Sequence, residues 1–222
     1  MFSLDRYREQ LLQLHDHICP RQILGLRMGE LAGRLLGLSL PRQDKRLFVF
    51  VETDGCFADG VMVATGCSIG HRTLRVADVG KIAAIFADAH SEPTRALRMW
   101  PHPQARDRAW QYAPDAPSRW HAQLAAYQIM PDEELLCVRP VRLKRSLAGL
   151  ISRPGLRVRC AMCGEEIINQ REVVRDGRIL CATCAGEAHF EYLSDAPHNL
   201  AGETFRPAPS EQHVNGLILN AR

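Results

Sequence analysis

Pro20-Arg-Gln-Ile-Leu-Gly-Leu-Arg-Met-Gly-Glu-Leu-Ala-Gly-Arg-Leu-Leu36 carries two patterns at once. Leu24, Met28, Leu31 and Leu35 recur at helical spacing and form an apolar stripe. Beside them Gly25, Gly29, Gly33 and Gly37 recur every fourth residue. Pro20 suits a first helical turn, where its missing N–H costs nothing. Each interior glycine costs about 1 kcal/mol against alanine. A smooth face on which another backbone packs closely offsets that cost, either a buried helix or a dimer contact. On the N-terminal side, Leu4, Tyr7, Leu11 and Leu14 predict an amphipathic helix over residues 4–14.

Toward the C-terminus, Arg46-Leu-Phe-Val-Phe-Val-Glu52 reads as a strand that ends at Thr53-Asp54-Gly55-Cys56. Residues 60–67 are ambiguous. Val61, Val63 and Thr65 favour strand, whereas Asp59 suits a helix cap, and helix is preferred. Residues 79–87 and 94–100 read as strands around the turn His90-Ser91-Glu92-Pro93, residues 103–112 and 118–129 as helices, and residues 134–143 as a further strand. The expectation is an α+β core over residues 1–150, with N-terminal helices packed on a sheet. A linker at Ser152-Arg153-Pro154-Gly155 leads to a small module over residues 156–193. Residues 194–222 have no periodicity and several prolines, and read as a flexible tail or arm.

The 222 residues suffice for one sizeable core and an appendage. No apolar run reaches the roughly 18 residues that a membrane span needs. Met1-Phe2-Ser3-Leu4-Asp5-Arg6 shows no secretory signal, so a cytoplasmic location without membrane contact is expected. Eight cysteines in such a setting point to metal or thiol chemistry, not disulfides. The net charge is +3. Residues 135–164 contain no acid but hold Arg139, Arg142, Lys144, Arg145, Arg153, Arg157 and Arg159. The plain reading is a solvated strand edge and linker; the sharper one is a face for an anionic partner, with Arg142 and Arg145 as contacts.

Cys160-x-x-Cys163 and Cys181-x-x-Cys184 are two knuckles separated by 17 residues, a strong zinc signature. Between them, residues 172–180 read as a hairpin with an Asp176-Gly177 turn that returns Cys181 beside Cys163. Four thiolates close the tetrahedron, so this zinc is structural. Residues 182–193 have a helical look. The segment is similar to the four-cysteine zinc fingers of the DksA/TraR group, a zinc-ribbon or treble-clef module, and such fingers serve protein or nucleic-acid contacts.

His15-Asp16-His17-Ile18-Cys19-Pro20 concentrates three metal-preferring side chains. On a helix His15 and His17 would diverge by about 200°. In an extended link they share a face with Cys19, and Pro20 biases Cys19 away from helix. Cys56 follows a strand end, where a rigid sheet exposes reactive groups. Cys67 stands in another glycine-flanked turn. Cys137 lies in an apolar strand and reads as a core cysteine. Asp54 is a turn residue or an acid.

Taken in order, His15-x-His17-x-Cys19-Pro20, Leu24-Gly25-x-Arg27-Met28-Gly29, Glu52-Thr53-Asp54-Gly55-Cys56-x-x-Asp59-Gly60 and Thr65-Gly66-Cys67-x-x-Gly70 closely resemble the formylmethanofuran dehydrogenase E-subunit family. The resemblance spans residues 11–145. It implies an α+β core with a twisted, mainly antiparallel sheet, often as a homodimer. It also implies a second divalent metal, zinc or another, on His17, Cys19 and Cys56, with His15 and Cys67 nearby. Relatives look like accessories of molybdenum or tungsten pterin oxidoreductases. Here Asp16 and Arg21 replace the glycines of the commoner pattern; Arg21 brings a cation that could hold an anion.

Three functions follow from the residues and the resemblance. The first is a metal-binding accessory of a molybdenum or tungsten enzyme. The second is a stand-alone metal enzyme, with Cys56, Asp54 and His15 as catalytic candidates. The third, less favoured, is a zinc-finger regulator contacting nucleic acid, because residues 182–193 lack Lys and Arg.

Overall fold

The computed structural model describes residues 2–144, 147, 155–188 and 190. The chain divides into two units, Met1–Ser152 and Arg153–Arg222.

In the first unit, α1 (Asp5–Leu14) and α2 (Pro20–Leu36) precede β1 (Leu47–Val51), and α3 (Cys56–Thr65) leads to β2 (Leu74–Val76). Then come β3 (Ala84–Asp88), β4 (Arg95–Pro101), α4 (Ala105–Tyr112), α5 (Arg119–Ile129), α6 (Asp132–Leu135) and β5 (Leu136–Val141). The sheet order is β2-β1-β3-β4-β5. β1 pairs with β2 in parallel, and every other pairing is antiparallel. This is the expected α+β architecture with a mainly antiparallel sheet.

Strand alternation divides the apolar side chains between two faces. Val49, Phe86 and Met99 join the helices in the main core, whereas Phe48, Ala87 and Ala96 form a smaller cluster on the other face with Leu147. β5 is an edge strand, so Cys137 is only half-buried there and is not the core residue its apolar setting suggests.

The glycine pattern of α2 is absorbed within the chain. A Cβ at Gly25 would overlap Phe57 O and lie 2.7 Å from Val61 N, and one at Gly29 would meet the Ala64 side chain at 2.5 Å. α3 therefore lies backbone to backbone on α2. Gln22 faces Gly60, Gly25 faces Val61 and Gly29 faces Ala64, so residue numbers rise together and the two helices run parallel. The β-branched residues of α3 would suit a strand, but this close packing fixes them in a helix. With α3 on its glycine side, α2 buries Ile23, Leu26 and Ala32 besides Leu24 and Met28, while Leu35 at the end of the expected stripe is exposed.

Arg27, also buried in α2, donates to the carbonyls of Tyr127 and Met130 and to Asp132 Oδ1, each at 2.7 Å. It thus satisfies carbonyls at the end of α5 that have no partner inside the helix.

The second unit contains β6 (Arg157–Arg159) paired with β7 (Glu166–Ile168), and β8 (Val173–Arg175) paired with β9 (Arg178–Leu180). Asp176 and Gly177 both have positive φ, 50° and 71°, as a type I′ hairpin requires. Of the helix expected over residues 182–193, the described residues show the turn Thr183–Glu187, interrupted at Gly186 with φ 89°. Residue 189, residues 191–193 and the expected tail at 194–222 lie outside the described residues, as does most of the expected linker.

Candidate metal centres

Cys160, Cys163, Cys181 and Cys184 offer four sulfurs that all lie within 4.8 Å of one another. Zinc with bonds of about 2.3 Å needs tetrahedral sulfur edges of roughly 3.8 Å. Cys163 Sγ and Cys181 Sγ are 3.9 Å apart, so the set fits the ion. The local backbone prepares it. Cys160 Sγ accepts the Met162 N–H and Cys181 Sγ accepts the Cys184 N–H, each knuckle turning its amides toward its first sulfur. Backbone N–H groups of Cys163 and Cys181 pull the Cys160 thiol down to about 6. The Cys181 thiol beside it, with burial, pushes Cys184 up to about 12. Four converging sulfurs cannot all ionise alone; a dication removes that conflict.

The N-terminal residues are brought together in part. Cys19 is the residue before α2 and Cys56 the first of α3. Because the helices run parallel, these starts stand side by side. Cys19 is 7% exposed, and burial raises its thiol above the ordinary range. Backbone N–H groups of Gln22 and Arg21 oppose the shift, and Cys56 adds to it.

His15 closes α1 in an extended conformation, and its Nε2 lies 2.6 Å from Asp59 Oδ2 on α3. A carboxylate only accepts, so Nε2 is the donor of this pair and Nδ1 is the ring nitrogen that remains for a ligand. Asp59 is a site residue for which the sequence suggests only a helix cap. The His17 ring is exposed, 6.3 Å from that of His15.

Cys67 is not brought to this place. It follows the far end of α3, about 15 Å along the helix from Cys56. It is buried, with its thiol donating to Leu47 O at 3.4 Å, and burial raises its pKa. Asp54, Arg21 and Arg142 are exposed, whereas Arg145 lies outside the described residues. Among the described residues, the zinc-finger set alone brings three or more donors within 4.8 Å of one another. The Cys19, Cys56 and His15 donor types nevertheless suit a zinc-like ion.

A second residue that spacing does not reveal is Gln22, fully buried in the first turn of α2. Its Oε1 accepts the Cys19 N–H at 2.8 Å. Away from both centres, a cleft of about 850 Å³ is lined by Arg6, Tyr7, Arg27, Glu30, Arg34 and Asp132 among others, and none of the candidate site residues lines it.

Residues 14–137 match the family described as FmdE, Molybdenum formylmethanofuran dehydrogenase operon, and residues 154–188 match the Prokaryotic dksA/traR C4-type zinc finger. The chain belongs to the FmdE family and carries a four-cysteine zinc finger. It is 39% identical over 84 residues to a "Probable S-adenosyl-L-methionine-binding protein" of Archaeoglobus fulgidus, 36% of this chain but only 23% of that protein. The chain therefore spans less than a quarter of that relative's length. A tungsten formylmethanofuran dehydrogenase FmdE-like protein from Syntrophus aciditrophicus has the same fold: TM-score 0.57, 22% identity, 86% of this chain and 96% of that one. Among the described residues, no helix is long and apolar enough to cross a membrane.

Proposed function

We propose that the chain is a metal-binding accessory of a molybdenum or tungsten pterin oxidoreductase, holding a second divalent ion besides the structural zinc. His17, Cys19 and Cys56 are its protein ligands, with His15 Nδ1 as a further donor. One observation carries the reading: Cys19 and Cys56 stand at the adjoining starts of two parallel helices, and Asp59, three residues along α3 from Cys56, is hydrogen-bonded to the His15 ring. Positive helix ends favour anionic thiolates, and a carboxylate behind a histidine is the usual support of a metal ligand. Such an ion supplies Lewis acidity or a docking point for a partner's cofactor; the chain supplies the ligands and their orientation. The family's link to formylmethanofuran dehydrogenase operons supports the accessory role.

The test is metal content per chain, by elemental analysis of the wild type and of His17→Ala/Cys56→Ala. Two ions falling to one is expected. A single zinc in both proteins would sink the second centre. The accessory role is tested separately by affinity purification from the native host: absence of molybdenum or tungsten from the captured material would refute it. The chain is also read as a homodimer, checked by light scattering. Its glycine face is already occupied by α3 and does not supply that contact.

Exposed His17 and half-buried Cys56 favour a second reading, an independent metal enzyme with an open coordination position. Binding of an exogenous ligand to the loaded site distinguishes it from a closed structural ion.

A further inference from the structure

The cleft bounded by α1, α2 and the turn from α5 into α6 belongs to neither metal centre. At about 850 Å³ it has the size of a small-molecule site, which spans roughly 300–1,000 Å³. Its α2 wall carries Glu30 and Arg34, four residues and thus about one turn apart. An acid one turn ahead of a cation is the order in which helix neighbours ordinarily pair. Here the two do not pair. Glu30 Oε1 accepts the Tyr7 hydroxyl at 2.8 Å, while Arg34 donates to Asp132 Oδ2.

These partners leave both charges unbalanced. Burial, with the Glu30 carboxylate beside it, pushes the Tyr7 hydroxyl up to about 12, so it donates as a neutral phenol and brings no positive charge. The other Glu30 oxygen has no partner among the described residues. Asp132 is shared by two guanidiniums, those of Arg34 and the buried Arg27, so one positive charge remains in excess. The wall thus holds a spare negative and a spare positive charge about 6 Å apart along the helix axis. Leu38, Leu40 and Met130 add apolar surface to the same cleft. The matching ligand carries the opposite pair of charges close together on an apolar body. We propose that this cleft binds a free α-amino acid with a large apolar side chain, its ammonium on Glu30 and its carboxylate on Arg34. Both groups sit on one carbon in such a molecule, which suits charges one turn apart, and the planar guanidinium fork fits a carboxylate. The head group alone would leave most of the cleft empty, which calls for the bulky side chain.

The experiment is isothermal titration calorimetry of the full chain with L-tryptophan, L-phenylalanine and L-methionine. Saturable binding of at least one is expected. For that amino acid, the amine lacking the carboxylate and the acid lacking the ammonium should each bind at least about tenfold more weakly. Glu30→Gln keeps an oxygen for the Tyr7 hydroxyl and removes only the charge, and Arg34→Gln leaves Arg27 on Asp132. Each variant should melt as the wild type does and bind at least about tenfold more weakly. Failure of all three amino acids to bind, equal affinity for an analogue missing one charge, or unchanged affinity in both variants overturns the proposal. His17→Ala/Cys56→Ala should bind the amino acid as the wild type does. Loss of binding there would put the ligand on the metal centre and overturn the cleft site. Retained binding in a chain that holds only the finger zinc would sink the metal reading and leave the cleft site standing.

Discussion

Gly60 presses against the main chain of Gln22 so closely that a Cβ at Gly60 would overlap the Gln22 carbonyl oxygen and lie 2.9 Å from the Gln22 Cα. The atoms on the far side of that contact are helix backbone, which cannot swing aside as a side chain can. Gly60→Ala should therefore destabilise the first unit by about 3 kcal/mol. Because the contact also sets the spacing of Cys19 and Cys56, the variant should lose N-terminal metal and keep finger zinc. Thermal melting with elemental analysis checks both; an unchanged melting temperature refutes the packing argument.

Arg27 is the polar bolt between α2 and the end of α5. Its partners Tyr127 O, Met130 O and Asp132 are all within hydrogen-bond distance, and its side chain is 7% exposed. Arg27→Ala leaves buried carbonyls without a donor and should cost about 3 kcal/mol. Urea denaturation measures it, and a loss below about 1 kcal/mol would show that water or Arg34 takes over.

Cys67 separates the structural reading from the family-based one. Its sulfur faces the Leu47 carbonyl in the core, beyond the opposite end of α3 from Cys56. Cys67→Ala should cost about 1 kcal/mol through lost packing and leave the metal content of both centres intact. Loss of one ion would place Cys67 back in the site.

These contrasts show what the sequence could reveal. α1, α2 and the zinc knuckles repeat at short, fixed intervals, so their residue spacing alone locates them. β2 has three residues and pairs in parallel with β1, so neither a long alternating run nor a tight turn announces it. His15 meets Asp59 across 44 residues, a pairing created by α3 docking on α2. Gln22 resembles any polar first-turn residue until its burial is known. Cys67 looks close to Cys56 along the chain, yet an intervening helix holds them apart.

Acid should act through Asp88. This nearly buried carboxylate accepts two hydrogen bonds from the Arg46 guanidinium, at 2.9 and 3.0 Å, which holds its pKa below the ordinary value. An unfolded aspartate titrates near 3.9, so the contribution is complete above about pH 4 and is lost as the pH falls through the depressed folded value. The stability gap between wild type and Asp88→Asn, measured by urea denaturation, should thus shrink from pH 7 toward pH 2. A gap independent of pH would contradict the assignment.

Zinc removal should act on the second unit alone. Structural zinc contributes about 10–16 kcal/mol of binding free energy in small fingers. A strong chelator at neutral pH should speed amide exchange throughout residues 155–188, while β1, β3 and β4 of the first unit keep their protection. Protection retained in the finger after zinc loss would mean that its small apolar cluster of Ile167, Leu180 and Ala185 suffices.

The glycine contacts make the α2–α3 pair a caliper. The gap between the two thiols is gauged by the radii of main-chain atoms, which no mutation alters, and not by the bulk of core side chains, which drift. Leucines and valines elsewhere in the first unit can therefore be exchanged over evolutionary time while the jaws stay set. The glycines themselves are the points at which that setting can be lost.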